Sequence, residues 1–118
     1  MASLVQSRTS TRESLLETAT RLFARSGFEG TSIREITEAS GVNTAMVSYH
    51  FDGKEGLYMA CIEPYGLKKV EAARRILVPA ERAAEFRARI LEFCDAMFEL
   101  WLEQPEISQI VARECVFG

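Results

Sequence analysis

Ser32-Ile33-Arg34-Glu35-Ile36-Thr37-Glu38-Ala39-Ser40-Gly41-Val42-Asn43-Thr44-Ala45-Met46-Val47-Ser48-Tyr49-His50-Phe51 decides how this chain is read. Ser32 and Glu35 stand three apart, as a helix capping box requires. Ile33 and Ile36 supply an inward face at helical spacing. Gly41 closes the segment, because a tight turn needs a residue that tolerates positive φ. Asn43 can cap a second short helix, from about Thr44 to His50. Val42, Val47 and Phe51 are its apolar anchors. That second helix is too short to form alone and too polar to be a core helix. A short polar-faced helix braced by another is what a protein sets into the major groove of DNA.

Working outward, Ser10-Thr11-Arg12-Glu13 reads as a capping box, and Leu15, Ala19, Leu22 and Phe23 recur at helical spacing. Gly27 is a helix stop. A first helix is therefore expected from about Thr11 to Ser26. Downstream of the quoted stretch, Asp52-Gly53 breaks the third helix, and Lys54 or Glu55 opens a fourth through Leu57, Tyr58 and Cys61. Pro64 removes a hydrogen bond and crowds the preceding turn, so a kink or break is expected there. Helical character resumes from Gly66 to about Leu77. A long amphipathic helix then runs from about Ala80 to Gln104, with Phe86, Ile90, Phe93, Met97 and Trp101 every three or four residues. Pro105 is well placed to start a sixth helix towards Val116. No strand alternation, internal repeat or low-complexity tract occurs. The fold class expected is all-α.

Composition narrows the function. The 118 residues are 47% hydrophobic, enough to fill a core. No apolar run approaches a membrane span, and residues 1–14 lack the apolar region of a secretory signal. Cys61, Cys94 and Cys115 form no C-x-x-C pair, so a metal site is not expected. An odd count of separated cysteines suits reduced thiols in the cytoplasm. The net charge of −3 averages over the whole chain, whereas DNA meets only one face. Arg8 and Arg12 lie in a stretch without acids, while ten Asp or Glu follow residue 60 against eight bases. No acid–base pair, nucleophile constellation or phosphate loop is present, so no enzyme and no cofactor are expected.

Groove docking assigns roles by position. Thr44 can hydrogen-bond a base edge, while Ala45 and Met46 offer apolar contact to a thymine methyl. Tyr49, His50 and Lys54 are suited to phosphate, which sets register and supplies affinity but carries little sequence information. Arg34 can reach a phosphate or a guanine edge, and Arg8 and Arg12 can serve as an arm. Each residue has a plainer use. Arg34 can pair with Glu38 four residues on, Met46 can join the core, Tyr49 can pack on the fourth helix, and His50 can close a helix end. Phe93, Met97 and Trp101 are either core or the lining of a ligand pocket between helices.

The residues Gly27-Phe28-Glu29-Gly30-Thr31-Ser32-Ile33-Arg34-Glu35-Ile36, Ser40-Gly41-Val42-Asn43 and Tyr49-His50-Phe51-Asp52-Gly53-Lys54-Glu55-Gly56-Leu57 resemble the DNA-binding domain of the TetR family of bacterial transcriptional regulators. The resemblance covers about Arg12 to Ile62. It implies an N-terminal arm (1–10), a three-helix head (11–53), and a linking helix with part of an all-helical ligand-binding and dimerisation body (54–118). It also implies a homodimeric repressor of a near-palindromic operator, released by a small-molecule effector that shifts the fourth helix. By the family's pattern Thr44, Ala45 and Met46 fall at base-reading positions, with Arg34 often in contact with DNA. Tyr49, His50 and Lys54 fall at phosphate-contacting positions. Two residues depart from the pattern: Ser48 stands where the family usually has tyrosine, and Thr37 where a small alanine commonly packs. A helical protein–protein adaptor, using the helix pair only as a scaffold, is the alternative function.

Overall fold

The computed structural model describes the backbone of residues 2–117 and the side chains of residues 11–115. Six α-helices follow in order: α1 (Ala2–Ser26), α2 (Ile33–Ser40), α3 (Ala45–Phe51), α4 (Lys54–Ile76), α5 (Ala83–Glu103) and α6 (Pro105–Phe117). No strand occurs among the described residues. α1 starts at Ala2, well before Thr11, so the expected capping box at Ser10–Glu13 lies inside the helix. Residues 2–10 of the expected 1–10 arm belong to α1, and the side chain of Arg8 lies outside the described residues.

The head is built on one apolar cluster. Leu15, Ala19 and Phe23 of α1 meet Ile36 of α2, Val47 and Phe51 of α3, and Leu57 and Cys61 of α4. Leu15, Ala19, Phe23, Ile36, Val47 and Leu57 are wholly shielded from solvent. Their spacing within each helix is the i, i+4 pattern of an amphipathic face. Completely burying a side chain such as Leu or Phe stabilises by about 1.5–3 kcal/mol relative to exposure. The two short helices α2 and α3 reach a stable core by sharing these few positions with α1 and α4.

Turns hold the head's geometry. Gly27, in the left-handed region, ends α1 with its N–H on the Phe23 carbonyl at 2.8 Å. Thr31, buried, donates its hydroxyl to the carbonyls of Leu22 and Gly27 at 3.1 and 2.8 Å. This fastens the loop that delivers α2. At Ser32 the N-cap half of the expected box forms, with Ser32 Oγ accepting the Glu35 N–H at 3.1 Å, while the Glu35 carboxylate accepts from the Ser32 hydroxyl at 3.2 Å instead of from its backbone N–H. The Thr37 hydroxyl donates to the Arg34 carbonyl at 3.1 Å. The residue is buried, so its bulk is accommodated and its polar group satisfied.

Pro64 does not break α4, which runs through it without interruption. Pro64 itself is exposed, and the next residue, Tyr65, is buried. The Ser108 hydroxyl of α6 donates to the Tyr65 phenol oxygen at 2.8 Å. Packing on one side of the proline thus keeps the helix running. α5 begins at Ala83, because Val78–Arg82 is spent on a connection. There Arg89 donates to the carbonyls of Val78 (2.7 Å) and Pro79.

α6 returns to the head. Ile110 is 3% exposed and joins the head's own cluster. The helical spacing showed α6 to be apolar on one side but not which surface that side would meet. α5, by contrast, leaves Phe86, Leu91, Phe98, Trp101 and Leu102 exposed.

Candidate nucleic-acid interface

The turn between α2 and α3 sets the angle of the outer helix. Gly41 adopts φ 73° and donates its N–H to the Thr37 carbonyl at 2.9 Å. The Val42 N–H meets Ser40 Oγ at 3.3 Å. Asn43 Oδ1 accepts the Ala45 N–H at 2.8 Å, and the Asn43 carbonyl accepts that of Met46 at 2.9 Å. Asn43 is therefore the side chain that caps α3, as its residue type suggests. At the far end Asp52 takes φ 62° and returns its N–H to the Ser48 carbonyl at 3.0 Å. Gly53, also at positive φ, stands immediately before α4.

Val47 and Phe51 point α3 into the core, which turns Thr44, Ala45, Ser48 and Tyr49 to solvent. Tyr49 is 65% exposed. Of the three proposed readers, Thr44 and Ala45 are fully presented, while Met46 is half-buried against the core cluster. Only part of Met46 is free to meet a base. Ser48, exposed beside Tyr49, leaves open space where a larger side chain would stand.

Of the proposed anchors, Tyr49 and His50 stand in the last turn of α3 and touch each other, while Lys54 opens α4 and its side chain contacts Phe28 instead. The Tyr49 and His50 rings meet edge to face at 4.9 Å, and His50 lies 6.0 Å from Phe51. The Arg12 guanidinium sits over the Phe51 ring, 5.0 Å from its centre. That brings a cation of α1 to the same end of α3, a placement the sequence alone did not specify. The Lys54 ammonium lies 4.2 Å over the Phe28 ring. Arg34 pairs with Glu38, Nε to Oε1 at 2.9 Å, with both side chains largely exposed. Such a surface pair contributes about 0.5 kcal/mol or less, so a phosphate can displace it at little cost.

Phe93, Met97 and Trp101 share one face of α5 with Cys94 and Phe98, and together they form an open apolar patch with no facing wall among the described residues. Behind the head, Tyr58 donates its hydroxyl to Glu114 Oε1 at 2.9 Å. Burial first, then the bond to and charge of Glu114, push its phenol up to about 12. Burial also pushes the Cys61 thiol up. Among the described residues no group of three His, Cys, Asp or Glu side chains could hold a metal ion, and no helix is long and apolar enough to cross a membrane.

Two helices joined at Gly41, the second outward-facing and followed by cations, define a helix-turn-helix head of the bacterial regulator type. Residues 15–61 match the family model of the bacterial regulatory proteins of the tetR family. It is 48% identical over 50 residues to the probable HTH-type transcriptional regulator YttP of Bacillus subtilis strain 168, a match spanning 42% of this chain and 24% of that protein. The HTH-type transcriptional repressor AcnR of Corynebacterium glutamicum is 37% identical over 73 residues, 62% of this chain and 36% of the relative. Among solved structures, HlyIIR, a hemolysin II transcriptional regulator, superposes with a TM-score of 0.67 at 33% identity. That match covers 91% of this chain and 57% of HlyIIR. The chain thus spans less than two thirds of the length of each of these proteins.

Proposed function

We propose that this chain is the DNA-binding head, with the beginning of the regulatory body, of a sequence-specific transcriptional regulator that acts as a homodimeric, ligand-responsive repressor in the cytoplasm and has no enzymatic activity. The observation that carries the reading is α3 itself. Val47 and Phe51 lock it to the core while Thr44, Ala45 and Tyr49 stand exposed on the opposite side. Thr44, Ala45, the free part of Met46, and Arg34 read bases. Tyr49, His50 and Lys54 hold phosphates, and Arg12 adds a cation at the same end. Two heads related by a two-fold axis match a near-palindromic operator. The apolar patch at Phe93, Met97 and Trp101 is the candidate start of an effector pocket, and Pro64 is the candidate pivot within α4. The repressor and regulator names of the relatives agree with this reading.

The test is selection of bound duplexes from a random pool, followed by titration of the enriched duplex against wild type and a Tyr49→Ala/Lys54→Ala double variant. Enrichment of a half-site motif, lost affinity in the variant and a steep fall of affinity with salt are expected. Unchanged binding by the variant would refute the docking face. No binding even at low salt, with a protein partner retained, would favour the adaptor.

A further inference from the structure

We propose that Phe28 is a positioning residue for DNA binding, holding the Lys54 ammonium at the phosphate-facing edge of the head. The proposal rests on the reading above that Lys54 contacts phosphate. Lys54 is the first residue of α4, just past the turn that ends α3. An unrestrained lysine at a half-buried surface corner samples several rotamers, and ordering it on binding carries an entropic cost. Here the ammonium is 4.2 Å from the centre of the Phe28 ring, within the range of a cation–π contact. Among the described residues no ion pair claims it. A ring restrains the side chain without neutralising its charge, which a carboxylate would do. The cation therefore stays attractive to a phosphate while its freedom is already reduced.

The ring is itself fixed. Phe28 stacks on the core residue Phe23 at 6.0 Å and meets the Tyr58 ring edge-on at 5.0 Å. Tyr58 packs against Phe23 at 5.1 Å, and its hydroxyl is bonded to Glu114. Phe28 thus lies in a rigid aromatic triad and offers a face to Lys54. Neither Phe28 nor this contact is needed to explain the helix-turn-helix itself.

The experiment measures affinity for a short, fluorescently labelled duplex of mixed sequence across a salt series, because phosphate contacts dominate such binding. Lys54→Met should weaken binding and lower the salt slope by about one contact. Phe28→Leu should weaken binding about two- to five-fold, the range of an exposed cation–π contact. Phe28→Tyr should restore wild-type affinity. In the Lys54→Met background, Phe28→Leu should cost nothing further. An equal loss in both backgrounds would mean a purely structural role and overturn the proposal, as would tighter binding by Phe28→Leu. If Lys54→Met alone changes neither affinity nor slope, the phosphate reading of Lys54 fails and the proposal with it. A measurement on the wild type does not depend on any variant folding. The ε-methylene protons of Lys54 should be shifted upfield by the ring current in the free protein, and their appearance at ordinary lysine shifts would overturn the contact.

Discussion

Tyr58 of α4 and Glu114 of α6, far apart in sequence, are joined by a 2.9 Å hydrogen bond at the back of the head. The phenol must stay protonated to donate. Burial and the neighbouring carboxylate both resist its ionisation, and its pKa is pushed up to about 12. Because the folded value lies above the ordinary value of 10.0, this group's stabilisation is whole below about pH 10 and is lost as pH rises through about 12. A spectroscopic titration of tyrosinate should show Tyr58 ionising only as pH approaches about 12. Glu114→Gln should lower the Tyr58 midpoint without normalising it, since burial is the larger cause. A Tyr58 midpoint at the ordinary value in the wild type would contradict the tether.

Thr31 is the fastening of the loop before α2. It is buried and bonded to two carbonyls, those of Leu22 and Gly27. Thr31→Val keeps the shape and removes the donor, leaving those acceptors short of a partner. A loss of about 1–3 kcal/mol is expected, read by urea unfolding. Thr31→Ser should lose less, because the donor remains.

The close approach of Gly56 to the α3–α4 turn is stricter than any propensity. A Cβ there would run into the Phe51 carbonyl oxygen. Gly56→Ala must displace backbone, and it should shift the start of α4 and with it Lys54. Reduced DNA affinity together with a lower melting temperature is expected. At Gly41 nothing lies within 4 Å of the added Cβ, so Gly41→Ala should cost only the left-handed backbone term, about 1–2 kcal/mol.

Local signals made much of this legible. The Ser32 cap, the Asn43 cap, and the stops at Gly27 and Gly41 each rest on hydrogen bonds made within a few residues, which a sequence displays directly. The core positions Leu15, Phe23, Ile36 and Val47 follow from helical spacing. Long-range facts were hidden for the complementary reason. That Ile110 enters the head, that Arg12 overlies Phe51 and that Lys54 overlies Phe28 depend on where separate helices land. The continuity of α4 through Pro64 is similar: the local rule weighs a missing hydrogen bond, while the buried Tyr65 and its bond from Ser108 hold the helix from outside. Met46 was only half legible, since a residue near the start of a short helix faces both the groove and the core.

Pro64→Ala tests what the proline does in an unbroken helix. It restores a backbone donor and relieves the clash with the preceding turn, which should stabilise α4 by up to about 3 kcal/mol. If Pro64 is a pivot, hydrogen exchange in α4 around residue 64 should slow in the variant while binding to a mixed-sequence duplex stays the same. Unchanged exchange would remove the pivot.

Ile110 offers the sharpest check on the role of α6. Its side chain is 3% exposed within a cluster otherwise drawn from the head. Truncating a buried isoleucine to alanine costs about 2–5 kcal/mol, the spread reflecting how far the site collapses. If α6 merely rested on the surface, Ile110→Ala would leave the head's unfolding untouched and at most loosen α6. Because Ile110 completes the core formed by Phe23, Leu57 and Cys61 with their neighbours, the variant should lower the unfolding transition of the head itself. The measurement is amide exchange in α1 and α4: protection at residues flanking Phe23 and Leu57 should fall together with that of α6. Loss confined to α6 would mean that the head is complete without it.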